Sequence, residues 1–136
     1  MTPVYVDTSA LLPLLDQSDE KHTAVVAEIG RLAESGASLV TTSYMLVEAS
    51  VLVRSRLGMA AFRALGDTVE RAIEVVWVDE DLHRRAWQQA AKEPRRGASL
   101  VDWSGFILMR NLGIRQALAF DQDFRKQSFV TLPDAS

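Results

Sequence analysis

Short, uninterrupted apolar runs alternate with stretches of helical period along this chain, and that alternation constrains its fold more than any other feature. The first run, Val4-Tyr5-Val6, has no polar residue between its members. A strand with one wet face would alternate, so this run predicts a strand covered on both faces, as in a parallel sheet. Leu39-Val40-Thr41, Val75-Val76-Trp77-Val78, Ala117-Leu118-Ala119-Phe120 and Phe129-Val130-Thr131-Leu132 are the other strand candidates. Helical segments fall between them. One starts near Ala10, behind the capping cluster Asp7-Thr8-Ser9. Lys21 to Glu34 carries Val25, Ile29, Leu32 and Ala33 at helical spacing and stops at Gly36. Residues 43–57 are apolar almost all round, which predicts a buried helix. Phe62, Leu65, Val69, Ala72 and Ile73 mark another helix; 80–91, 100–112 and a short 122–127 complete the set. Strands separated by helices imply a parallel sheet with helices on both faces, an α/β fold of about five strands.

The 136 residues form one expected domain, 1–136, long enough to bury roughly two-thirds of the unfolded surface without staples. The absence of cysteine excludes disulfides, a thiol nucleophile and thiolate zinc sites. Two histidines, His22 and His83, are too few for a histidine-rich metal site, and both sit in polar contexts that predict surface positions. No uncharged stretch is long enough to span a bilayer, and the N-terminus lacks a signal-peptide pattern, so the expected compartment is the cytoplasm with no membrane association. A net charge of −3 lowers the expectation of a general nucleic-acid coat but permits a local basic patch.

In open parallel sheets the site lies beyond the carboxyl ends of the strands. Asp7 follows the first strand candidate, and Asp121 follows the fourth in the same way. Glu48 shares a helix face with Tyr44, Met45, Val51 and Leu52, where an acid is costly without a partner. Asp102 sits in a helix first turn beside Ala98, Gly105, Phe106 and Met109. Four carboxylates converging there, with no basic residue beside them in sequence, would repel each other, and a hard divalent cation resolves the repulsion. Mg²⁺ suits such ligands, Mn²⁺ can substitute, and the chemistry they support is phosphodiester hydrolysis.

Each acid also has a plain structural reading. Asp7 and Asp121 can be helix caps, and Ser99-x-x-Asp102 fits a capping box. Asp123 reads as a first-turn acid or as an additional member of the cluster. The joint placement favours a site. Trp77, Trp87 and Trp103 are expected in the core, Trp103 with the alternative of lining the cleft. Lys92, Arg95 and Arg96, in a loop leading to Asp102, are candidate RNA phosphate contacts.

Val4-Tyr5-Val6-Asp7-Thr8-Ser9-Ala10-Leu11 resembles the opening of PIN domains, especially VapC-like toxins of type II toxin–antitoxin systems. Tyr44 to Ala49, Ser99 to Ser104 and Ala119 to Phe124 resemble their three further blocks, in the same order and over nearly the whole chain. The resemblance implies a three-layer α/β/α sandwich and Mg²⁺- or Mn²⁺-dependent RNA cleavage. It implies a homodimer inhibited by a small cognate antitoxin. Metal ligation falls on Asp7, Asp102 and Asp121, with Glu48 assisting or orienting water, and Thr8, Ser9 or Thr41 supporting them through hydroxyl hydrogen bonds. Two rivals remain at this point. A phosphohydrolase or phospho-acceptor domain would want paired acids after the first strand, or Asp-x-Asp where this chain has Asp7-Thr8-Ser9. A non-catalytic PIN-like binding domain would have no reason to keep a repulsive cluster.

Overall fold

Val4, Tyr5 and Val6 are all buried in β1 (Pro3–Val6), which lies at the centre of a five-stranded sheet. The computed structural model describes residues 2–134. After β1 come α1 (Thr8–Leu15), α2 (His22–Glu34), β2 (Ser38–Thr42), α3 (Ser43–Leu57), α4 (Met59–Ala72) and β3 (Ile73–Val76). The chain continues through α5 (Glu80–Ala90), α6 (Leu100–Leu112), β4 (Gln116–Leu118), α7 (Asp123–Lys126) and β5 (Val130–Leu132). The strand order is β3-β2-β1-β4-β5 and every pairing is parallel.

Two apolar cores cover the two faces of this sheet, which makes the architecture an α/β/α sandwich. On one face Tyr5 packs with Leu82, Trp103, Phe106 and Phe124 from α5, α6 and α7. On the other, Val4 and Val6 pack with Leu11, Val25, Val53 and Leu65 from α1 to α4. The period-two alternation of a strand sends neighbours to opposite cores, so neither face of β1 tolerates a polar residue.

Several expectations need correction. The third strand spans 73–76, not 75–78. β2 supplies partners only as far as Thr42, which pairs with Val76 and then caps α3 through its side chain. With no ladder left, the backbone N–H of Val78 donates to Ser43 Oγ at 2.9 Å, and Trp77 swings out of the sheet. Trp77 is 73% exposed and Trp87 is 59% exposed, so only Trp103 takes its expected core place. α3 is not buried all round: Ala49 and Val53 face the core, while Val47 and Val51 are exposed. His22 is half-buried, its Nδ1 hydrogen-bonded to the carbonyl of Pro13. Glu28 is buried and paired with Arg31 at 2.8 Å, a local ion pair that sequence reading passed over.

Candidate metal centre and active site

The strand order reverses direction at β1: β2 and β3 extend to one side of it, β4 and β5 to the other. The crevice of such a sheet opens at this switch point, beyond the carboxyl ends of the two strands that flank it. Asp7 stands directly after β1, and Asp121 follows shortly after β4.

Asp7 caps α1, its Oδ2 accepting from the backbone N–H and the hydroxyl of Ser9 at 3.2 and 2.5 Å. Ser9 Oγ also accepts from the backbone N–H of Phe120 at 2.9 Å. That hydroxyl therefore ties the end of β1 to the segment leading into Asp121. Phe120 donates to Ser9 instead of extending the strand ladder, which is why β4 stops at Leu118. Thr41 Oγ1 donates to the carbonyl of Val6 at 2.8 Å and steadies the same strand end. Asp7 is 4% exposed. Burial, and then repulsion from Asp102 and Asp121, push its carboxyl up to about 7 against the pull of the Ser9 hydrogen bonds.

Asp102 plays both parts that its sequence context offered. Ser99 Oγ accepts from its backbone N–H at 3.1 Å while its own carboxylate accepts from the Ser99 N–H at 2.9 Å, a complete capping box. It also faces the other acids. Burial, and then Asp121 and Glu48, raise its carboxyl to about 6. The approach of α6 that brings it there depends on Gly105. A Cβ at that position would lie 2.6 Å from the Tyr5 hydroxyl, so only glycine lets the helix close on the sheet.

Carboxylate oxygens of Asp102, Asp121 and Asp123 lie within 4.8 Å of one another. Asp123 thus joins the centre, although its sequence position favours an ordinary first-turn acid. Burial, Asp121 and Glu93 raise its carboxyl, and Lys126, 3.7 Å away, opposes them. Asp7 and Glu48, both expected as ligands, are not in this trio; they act on it electrostatically, Asp7 being repelled by Asp102 and Asp121, and Glu48 helping to raise Asp102. Glu93 is the acid that sequence reading missed. It lies in the 92–98 turn, where its Oε2 accepts from the Ala98 N–H at 2.7 Å, and no periodicity marks it. Glu93 adds to the repulsion on Asp123, and the same turn carries the exposed Lys92, Arg95 and Arg96.

The donor set fits a hard divalent ion. Mg²⁺ takes oxygens at 2.0–2.1 Å, which sets opposed ligands about 4 Å apart, the scale of this trio. The set contains no sulfur and no imidazole, which disfavours softer ions.

A family model described as PIN domain matches residues 4–130. The chain belongs to the PIN domain family. This PIN domain is 34% identical over 129 residues to the 23S rRNA-specific endonuclease VapC20 of Mycobacterium tuberculosis, covering 93% of this chain and 95% of that protein. The crystal structure of that VapC20, described as a Sarcin-Ricin loop cleaving toxin, superposes with a TM-score of 0.79 at 31% identity, covering 93% of this chain and 96% of the other. VapBC2 from Rickettsia felis, bound to a promoter DNA fragment, shares the fold at a TM-score of 0.67 and 9% identity, over 96% and 97% of the two chains. FitAcB from Neisseria gonorrhoeae does so at 0.64 and 16%, over 94% and 95%. The resemblance read from the four sequence blocks is borne out, as is the parallel α/β/α sandwich.

Proposed function

We propose that this PIN domain is a metal-dependent endoribonuclease, the toxin of a toxin–antitoxin pair, and that its substrate is a structured ribosomal RNA loop. The observation that carries the reading is the meeting of Asp102, Asp121 and Asp123 within 4.8 Å, with the buried Asp7 repelled by two of them and the carboxyls of Asp102 and Asp7 raised to about 6 and about 7. A binding domain gains nothing from such mutual repulsion. The choice of RNA follows the likeness to VapC20.

Mg²⁺ or Mn²⁺, when bound, lowers the pKa of water and offsets charge on the phosphoryl oxygens. Asp102, Asp121 and Asp123 would hold the ion, with Asp7, whose Oδ2 accepts from Ser9, as a further ligand. Glu48 assists ligation or orients the attacking water. The water oxygen bonds to phosphorus as one P–O ester bond breaks; the water gives up a proton and the leaving oxygen takes one up, so one water is consumed and the products are a phosphomonoester and a hydroxyl end. Lys92, Arg95 and Arg96 hold flanking phosphates. A small cognate antitoxin, a homodimer and a cytoplasmic location complete the proposal. No helix among the described residues is long and apolar enough to cross a membrane.

The test is incubation of the purified protein with ribosomal RNA and with a sarcin–ricin loop hairpin, in Mn²⁺ and in EDTA. Cutting in Mn²⁺ alone, lost in Asp102→Asn, is the expected result. Cutting in EDTA overturns the metal role, and intact RNA in every condition overturns the ribonuclease reading.

A further inference from the structure

Trp87 is 59% exposed on α5, yet it is not an isolated ring. It leans on His83, with ring centres 5.8 Å apart at 45°. His83 in turn meets the edge of Tyr44 at 5.9 Å and 80°, and its Nδ1 is hydrogen-bonded to the Tyr44 hydroxyl. Tyr44 belongs to α3, so the row is anchored across two helices with its outer ring in water. A shallow recess of about 440 Å³ lies on one side, lined by His83, Arg84, Trp87 and Gln88. Another, of about 220 Å³, is lined by Trp87, Ala90, Ala91 and Leu100.

The row and the recesses beside it are carried by elements that also carry acids of the centre. Tyr44 stands one turn before Glu48 on α3, about 6 Å along the axis. Leu100 stands two residues before Asp102 on α6. The turn between α5 and α6 adds exposed Lys92, Arg95 and Arg96.

We propose that Trp87, held by His83 and Tyr44, stacks on an unpaired base of the RNA and sets which phosphodiester reaches the acidic centre. This rests on the ribonuclease reading above. Unpaired RNA bases are recognised by stacking on exposed aromatic rings together with hydrogen bonds at the base edge. Gln88 offers a donor and an acceptor beside the ring, and the basic turn complements the phosphates on either side. An apolar partner helix is a poorer match. The exposed positions around Trp87, namely Arg84, Gln88, Ala91 and Lys92, form no apolar stripe.

The test uses the hairpin that the wild-type protein cuts, starting from the sarcin–ricin loop, with each unpaired nucleotide replaced in turn by an abasic one. Trp87→Ala should lower kcat/KM about five- to hundredfold through KM, the range of single-base stacking, and Trp87→Phe should recover most of it. One abasic position should penalise the wild type and add no further penalty to Trp87→Ala. Equal penalties at every position in both proteins overturn the platform alone. A Trp87→Ala protein that cuts like wild type but no longer binds its antitoxin also overturns it and gives this face to the antitoxin. If the wild type cuts no RNA, the ribonuclease reading falls and takes the platform with it.

Discussion

Replacing Asp7 by Asn should make the metal-free protein more stable while removing its activity. In the folded protein the Asp7 carboxyl is raised from 3.8 to about 7 by burial and then by Asp102 and Asp121. The folded state therefore binds that proton more tightly than the unfolded chain. The stability it contributes is whole below pH about 4 and is lost as pH rises through about 7. At 1.36 kcal/mol per pH unit, the gap is about 4 kcal/mol, an upper bound because real unfolded chains keep some structure. Asn has no charge to bury, and it is as good a helix N-cap as Asp. The two proteins should match near pH 4 and diverge steadily, until Asp7→Asn leads by about 2–4 kcal/mol at pH 8. The assay is urea unfolding in EDTA at intervals from pH 4 to pH 8. Groups remote from the centre cancel in the difference between the curves, while Asp102 and Asp121, coupled to Asp7, titrate with it and belong to that difference. Parallel curves across that range would refute the electrostatic account of the centre. Mn²⁺ at a hundredfold excess over its Kd should then narrow that lead, since it adds about 2.7 kcal/mol to the protein that keeps all its ligands and less to the variant.

Asp102→Ala removes a capping box worth about 1 kcal/mol but also relieves repulsion, so its metal-free stability should change little, while its Mn²⁺ increment in thermal unfolding should largely vanish; an undiminished increment would leave Asp102 a cap only. Gly105→Ala should cost about 1–3 kcal/mol in urea unfolding and lower activity, because the new methyl meets the buried Tyr5 hydroxyl; an unchanged midpoint would show that α6 can lift without loss. Neutralising Lys92, Arg95 and Arg96 together should weaken binding to unrelated RNAs alike and flatten its dependence on salt, and an unchanged salt slope would assign the turn to solvent.

The layering of the fold is a local property of the chain, and so it was readable. Unbroken runs such as Val4-Tyr5-Val6 announce strands covered on both faces, and helical spacing between them announces what covers them. Asp7 and Asp121 were visible because each follows a strand candidate at the carboxyl edge of a parallel sheet, and Glu48 and Asp102 because each is an acid on an otherwise apolar helix face. Asp123 reads in sequence first as an ordinary first-turn acid, since such an acid looks the same whether it meets solvent or other carboxylates. What lay beyond reach depends on where segments distant in sequence meet. β3 ends at Val76 because its partner β2 ends at Thr42, and that termination, not any property of the indole, puts Trp77 in water. Glu93 reaches the acidic centre only because the turn before α6 folds back beside Asp123. Ser9 binds both Asp7 and the Phe120 backbone only because β1 and β4 are neighbours, although 111 residues separate Ser9 from Phe120. Burial and proximity across such distances are set by chain topology, and local pattern carries no record of them.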